Sequence, residues 1–243
     1  MKSKKQLNTE KYLYWPKLTR GTLMRRYKRF LADIRLDSGE LITAHCANTG
    51  SMKECSLPGQ PAFVSYHDVK TRKYKHTWEL IEMPTAMVGV NTGVPNKLVY
   101  QSIKAGVISE LTGYEEIKAE AKVGTKSRLD ILLSNGETDL CYVEIKNCTL
   151  VEDGIASFPD AVTTRGQKHI KELQTLKKQG HRSVMFFLVQ RTDAKLFKPA
   201  DSIDPEYGKA LRRAHKKGVE ILVYDVAIDL EKIYINQKIP FQL

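Results

Sequence analysis

Between Leu18 and about Pro84, short apolar runs alternate with turn residues in the period of two that marks strands. Gly21–Met24 and Phe30–Leu36 come first, and an Asp37-Ser38-Gly39 turn leads into Leu41–Cys46. Pro58-Gly59 precedes Ala62–Tyr66, and Thr77–Ile81 closes the set. Strands at this spacing predict a small barrel or a sandwich, and five of them in this length fit an OB-fold. In the first case Phe30 and Trp78 are expected inside.

After Pro84 the period changes. Met87–Val90 reads as a short strand. Asn96 offers an N-cap to a helix through Leu98, Val99, Ile103, Val107 and Leu111. Strands are expected at 116–122, 128–134 and 140–150, and a helix at about 163–179. For that helix Thr164-Arg165-Gly166-Gln167 matches a capping box, and Gly180 is the stop. Val184–Val189 is apolar on both faces, as in a covered central strand. A helix at about 205–217 and a strand at 219–226 follow. The order predicts an α/β domain with a mixed sheet, and the whole divides into residues 1–86 and 87–243.

Two strand patterns carry the chemistry. Asp130 interrupts the apolar Leu129–Leu133 run, and Glu144-Ile145-Lys146 lies in the run Cys141–Lys146. Asn135-Gly136 between them signals a hairpin that folds Asp130 back beside Glu144. Residues two apart share a strand face, so Glu144 and Lys146 point the same way. A carboxylate in an apolar run needs a partner or a ligand. Two acids and the Ile145 carbonyl suit a divalent cation such as Mg²⁺ or Mn²⁺, with Lys146 orienting water or stabilising developing charge. The alternative is a solvated strand face, since Asp…Glu-x-Lys is short and frequent by chance. Glu110 and Glu120 are further acids that would join such a cluster, although a surface position suits either one taken singly. Around the next helix start, Arg165, Gln167, Lys168 and His169 are candidates for binding phosphate, as is Arg128 beside Asp130. The outer face of an amphipathic helix is the competing explanation.

Charge adds a direction. The chain has 243 residues and a net charge of +11; residues 1–88 hold 16 Lys and Arg against 8 Asp and Glu. Two basic-aromatic runs stand out there. One contains Arg25, Arg26, Tyr27, Lys28 and Arg29, the other Arg72, Lys73, Tyr74 and Lys75. Cations on phosphates with aromatics on bases is a nucleic-acid pattern, and nucleic acid is the expected partner. Ordinary solubility charge is the bland alternative. No apolar run is long enough to cross a membrane, and no signal-peptide core follows Met1–Gln6, which points to the cytoplasm. The four cysteines form no Cys-x-x-Cys pair, so they read as reduced structural residues, and His45-Cys46 as a buried strand pair.

Six separated segments in one order resemble the sugar fermentation stimulation protein A (SfsA) family. They are Arg26–Asp33, His45–Met52, Lys73–Leu80, Ser127–Asp130, Tyr142–Lys146 and Phe158–His169. The likeness runs from about Leu18 to the end. It implies an N-terminal OB-like barrel, a C-terminal PD-(D/E)xK nuclease-like domain, non-specific DNA binding and a part in regulating sugar, especially maltose, metabolism. The nuclease pattern carries over to Asp130 as the lone acid and to Glu144 and Lys146 as the Glu-x-Lys pair. The family often has Pro where this chain has Ala47, which concerns turn rigidity and not the chemistry. A DNA-binding regulator without catalysis is the alternative reading.

Overall fold

The computed structural model describes residues 11–123 and 127–243, with Ser127 by its backbone alone. The basic start at Met1–Gln6 lies outside the described residues.

A short β1 (Leu13–Tyr14) precedes five strands that close on themselves: β2 (Leu18–Tyr27), β3 (Leu31–Leu36), β4 (Leu41–His45), β5 (Pro61–Tyr66) and β6 (His76–Glu82). β3 pairs with β2 and β4, and β5 with β2 and β6, all antiparallel. A parallel contact of β4 with β6 completes the circuit, so this unit is an OB barrel and not a sandwich. Leu23, Ile34, Ala44, Val64, Trp78 and Ile81 fill its interior. Trp78 is fully buried, and its indole N–H donates to the Leu80 carbonyl at 2.9 Å. Gly21 allows β2 and β3 to touch, because a Cβ there would stand 2.6 Å from the Arg35 carbonyl oxygen. Phe30 departs from expectation. Lys28 and Arg29 take left-handed φ values of 50° and 63°, β3 starts only at Leu31, and Phe30 is left 50% exposed on the turn.

β7 (Met87–Gly89) adds to β6, and the chain then enters α1 (Val94–Lys104). This helix begins before Asn96, with Pro95 in its first turn, and stops well short of Leu111. Gly106 at φ 70° ends it, and Ser109–Leu111 form a separate 3₁₀ turn. The second sheet is built from β8 (Glu116–Val123), β9 (Ser127–Asn135), β10 (Asp139–Cys148), β13 (Arg182–Val189), β15 (Glu220–Ile228) and β16 (Lys232–Lys238). Between these strands lie β11 (Leu150–Glu152), β12 (Ile155–Phe158), α2 (Thr164–Lys178), β14 (Leu196–Pro199) and α3 (Pro205–Lys216). The order across the sheet is β1-β16-β15-β13-β10-β9-β8, so β1 belongs to this sheet although it precedes the barrel. β10, β13 and β15 run parallel, and the outer pairs are antiparallel, which makes the sheet mixed.

The double-sided apolar run of β13 has the predicted consequence. Val184, Phe186 and Leu188 pack with α1 residues Leu98, Val99 and Ile103. Met185, Phe187 and Val189 pack with Ile170 and Leu173 of α2 and Leu211 of α3. α2 is capped by Thr163, whose hydroxyl accepts from the Gly166 N–H at 3.0 Å, and not by Thr164. Gln167 does not close a capping box; its amide donates to Asp204.

The barrel is fastened to the β12–α2 connection through the Asn48–Met52 loop. Arg26 donates to the carbonyls of Asn48, Gly50 and Ser51, holding that loop from the barrel side. From the other side, the Asp160 carboxylate accepts from the Met52 N–H at 3.2 Å and the Ser51 hydroxyl at 3.4 Å. A Cβ at Gly50 would fall inside the van der Waals envelope of that carboxylate. Gly50→Ala is therefore expected to destabilise the protein by about 1–3 kcal/mol through overpacking. Adding Asp160→Ala should recover part of this loss, giving a favourable coupling in a double-mutant cycle of chemical denaturation.

Candidate nuclease-like site

Asp130 and the Glu144–Lys146 segment meet because β9 and β10 form the hairpin that Asn135-Gly136 signals. Gly136 takes φ 68° in the turn, and the ladder runs from Asp139 opposite Asn135 to Val143 opposite Ile131. Asp130 follows immediately, and its Oδ2 accepts from the Ile145 N–H at 2.7 Å. Its Oδ1 accepts from the Asn96 side chain at 2.7 Å. Burial, and then the nearby Glu144 charge, push the Asp130 carboxyl above its ordinary range, against the pull of these donors and of Lys146.

Glu144 is buried, and its Oε1 receives both Lys146 Nζ, at 2.5 Å, and His169 Nδ1. Lys146 Nζ and His169 Nδ1 are themselves 3.4 Å apart. Burial raises the Glu144 carboxyl, but the His169 hydrogen bond and the Lys146 charge outweigh it, and the group lies below its ordinary range. The two acids are thus pushed apart in acidity by unlike surroundings. Glu144 Oε2 is buried and has no protein partner. A buried carboxylate oxygen without a donor is uncommon and calls for an explanation, and a cation fits it. Asp130, Glu144 and the Ile145 carbonyl are the oxygens available to hold one. Among the described residues no three His, Cys, Asp or Glu side chains converge as a metal-binding group, so this would be a two-carboxylate site completed by the main chain and solvent.

A cleft of about 400 Å³ opens over these groups, lined also by Glu120, Arg128, Arg165 and His169. Glu120 stands between the Ala119 and Ala121 positions that flank Asp130 in the β8–β9 ladder. It is exposed, has a left-handed φ of 54° and pairs with Arg128 at 3.1 Å. Four other sequence candidates are occupied elsewhere. Glu110 accepts from Tyr224 and Lys238, because its 3₁₀ turn faces β15 and β16 and not β9. Gln167 is taken up by Asp204, and Lys168 pairs along the helix surface with Glu172 at 3.6 Å. Arg26 is bound to loop carbonyls, as described above.

A neighbouring cleft of about 430 Å³ runs from Lys146 and Arg165 to Arg29, Asn48 and Gly50 of the barrel. Of the two basic-aromatic runs of the barrel, the first lines this cleft through Arg29, and the second lines a separate cleft of about 480 Å³ through Arg72, with His45, His67 and Lys97. One is the β2–β3 turn, the other the β5–β6 loop, and they adjoin the end of β4 through the pairs Leu31–His45 and His45–Thr77. These are the two connections through which OB folds take oligonucleotides. Lys28 and Lys73 are exposed there. Arg25 lies over the Tyr27 ring and pairs with Asp33 at 2.8 Å. Tyr27 donates to Asp33, Arg29 to the Thr49 carbonyl and Arg72 to Thr77. Lys73 lies 5.6 Å from the Tyr74 ring centroid, and Lys75 pairs with Asp68. All four cysteines are free and buried, and burial pushes the Cys55 and Cys148 thiols up to about 12, consistent with inert packing residues.

Asn96 is the site residue that the amino-acid pattern did not single out. It sits in the first turn of α1, 34 positions before the carboxylate it touches. His169, in the sequence one of the phosphate-binding candidates at a helix start, is instead buried with its Nδ1 on Glu144 Oε1.

An OB barrel docked on a mixed-sheet α/β domain, with a lone acid set beside Glu-x-Lys, defines the class of protein by its fold and site. Residues 24–90 match the family model described as the SfsA N-terminal OB domain, and residues 93–232 that of the sugar fermentation stimulation protein RE domain. The chain belongs to the sugar fermentation stimulation protein family. A homolog from Geotalea uraniireducens is 54% identical over 92% of this chain and 96% of its own length. One from Shewanella loihica is 48% identical over 95% of this chain and all of its own. The solved structure of Pyrococcus furiosus SfsA in complex with Ca²⁺ superposes with a TM-score of 0.87 at 28% identity, covering 96% of this chain and 100% of that one. No helix among the described residues is long and apolar enough to cross a membrane.

Proposed function

We propose that residues 1–86 bind nucleic acid and that residues 87–243 carry a divalent-metal-dependent centre for phosphodiester cleavage. The observation that carries this reading is the convergence of Asp130, Glu144 and Lys146 at one cleft, with a buried Glu144 oxygen that no protein group satisfies. Asp130, Glu144 and the Ile145 carbonyl would hold Mg²⁺ or Mn²⁺, which take oxygen ligands. The cation would supply charge neutralisation at the phosphate and a more acidic water. The remaining work falls to the chain itself. Lys146, half-buried at the cleft, would stabilise negative charge as it develops on the phosphate. Asn96 and the Ile145 amide orient Asp130, and His169 orients Glu144. Arg128 and Arg165 line the cleft as phosphate contacts. A relative whose solved structure holds Ca²⁺, another oxygen-seeking cation, supports the choice of metal class.

The test is cleavage of single-stranded and duplex DNA and RNA with Mg²⁺ or Mn²⁺, with Asp130→Ala alongside. Metal-dependent cleavage lost in the variant is the expected result. Equal activity in both proteins would overturn the site assignment, and binding without cleavage would leave a DNA-binding regulator. Binding itself is expected to weaken steeply with salt. Lys28→Gln with Lys73→Gln should make the log–log salt slope for duplex DNA shallower by about 2, in proportion to the phosphate contacts removed. Fluorescence anisotropy from low to high salt checks this, and an affinity flat in salt would sink the nucleic-acid assignment.

A further inference from the structure

A third groove meets the site along the flank of α1, and none of the chemistry above uses its helix side chains other than Asn96. It encloses about 710 Å³ and is lined by Asn96, Lys97, Tyr100 and Lys104 of α1, facing Glu120 and Asp130. That is within the range of about 300–1,000 Å³ typical of ligand pockets. α1 turns its Leu98, Val99 and Ile103 face into the core. Lys97, Tyr100 and Lys104 recur at the three-to-four spacing of one helical flank, which leaves that flank to the groove. Lys97 and Lys104 are exposed, and neither forms an ion pair with a described residue. Tyr100 is half-buried, with Lys104 Nζ 5.7 Å from its ring centroid. Ala119 and Ile131 contribute apolar walls. The one acid at the rim besides Asp130, Glu120, is engaged by Arg128.

We infer that this groove binds unpaired nucleotides flanking the phosphate held at Asp130 and Lys146, so that the substrate is single-stranded, or unwound, at the site. The inference rests on the nucleic-acid reading above and names its substrate class. A polynucleotide has backbone on both sides of any internal phosphate. The barrel-side cleft receives one side, through Lys146 and Arg165. The α1 groove shares Asp130 and Glu120 with the acidic cleft and extends from them along Lys97, Tyr100 and Lys104, so it receives the other. An aromatic ring flanked along the helix by two ammonium groups, over apolar walls, matches a base stacked between two phosphates, with Lys104 leaving its place over the Tyr100 ring as the base enters.

The experiment measures binding in EDTA, where no cleavage occurs, of fluorescent oligothymidylate and of a blunt duplex of the same length. Tyr100→Leu is expected to lower single-strand affinity roughly 5- to 100-fold, the range of one stacked base, while Tyr100→Phe retains it. Lys97→Gln with Lys104→Gln, both surface changes that leave the core intact, should make the single-strand salt slope shallower by about 1.4. Duplex affinity should stay within about twofold in all of these variants, because the duplex does not enter the groove. Unchanged single-strand affinity in the groove variants, with binding still weakened by Lys28→Gln and Lys73→Gln, would overturn this inference and leave the general reading standing. Failure of the wild type to bind either nucleic acid would overturn both. Equal competition by poly-glutamate would show a charge-only surface and reject the base-stacking assignment.

Discussion

Lys146→Ala is expected to lower metal-dependent cleavage by about 10²–10³-fold, the usual loss when one preorganised charge at a reacting centre is removed. The loss should appear in kcat with KM little changed, as for an interaction made in the transition state and not in the ground state. The reason lies in how Glu144 is held. Lys146 Nζ and His169 Nδ1 both contact Glu144 Oε1. Without the lysine, His169 still orients the carboxylate, and both proposed metal carboxylates remain. Mg²⁺ or Mn²⁺ should therefore still raise the Tm of Lys146→Ala, by the mass-action stabilisation of about 2.7 kcal/mol at a hundredfold excess over Kd. Asp130→Ala should lose both cleavage and the Tm response. Parallel loss of the Tm response in the two variants would place Lys146 among the groups that hold the metal, contrary to this assignment. Full activity in Lys146→Ala would remove it from the chemistry.

Much of this centre is legible in the amino-acid sequence because local rules produce it. Asn135-Gly136 specifies a hairpin, the hairpin sets Asp130 beside Glu144, and the two-residue strand period puts Lys146 on the Glu144 face. The double-sided apolar run of β13 likewise declares a covered central strand. What escapes is set by turns and by distant partners. Phe30 belongs to the barrel interior by alternation, but two left-handed residues before it lengthen the turn and leave it outside. The start of α2 depends on which threonine reaches the Gly166 amide, and Asp204, far along the chain, claims Gln167 before any capping box forms. Asn96 looks like a cap because asparagine favours helix starts; its contact with Asp130 requires β9 to be in place first. Glu110 has the composition of a site acid, yet the packing of its turn against β15 and β16 gives it to Tyr224 and Lys238.

The largest effect on stability is expected from Arg191→Ala, at about 3–5 kcal/mol, the cost of breaking a buried charge pair by deleting one partner. Arg191 is 3% exposed. Its guanidinium grips Asp193 with two hydrogen bonds of 2.6 Å each, and it donates to the Thr149 carbonyl at 3.1 Å and the Thr85 hydroxyl at 3.3 Å. Thr85 also donates to Asp193 at 2.6 Å, and Arg191 bridges by its backbone to Val88. The network thus ties the end of the barrel sheet to the segment that follows β10, close to Lys146. In the variant Asp193 and the Thr149 carbonyl lose their main donor. For a chain of this size about 2–4 °C of Tm accompanies each kcal/mol, so a fall of roughly 6–20 °C is expected by calorimetry. Acid separates this pair from a generic packing defect. Burial raises the Asp193 carboxyl, but the Arg191 and Thr85 hydrogen bonds outweigh it and hold it below the ordinary 3.8. A depressed folded-state value gives stability that is present above the unfolded-state value and lost as pH falls through the folded one. The wild type should therefore lose part of its margin over the variant below about pH 4, with the Tm difference narrowing as Asp193 protonates. A difference constant from pH 7 to pH 3 would show that Arg191 stabilises by packing alone. Because the same contacts hold the barrel against the second sheet, the variant should also bind DNA with a weaker dependence on Lys28 and Lys73 than the wild type does, the two halves of the cleft no longer being held in register.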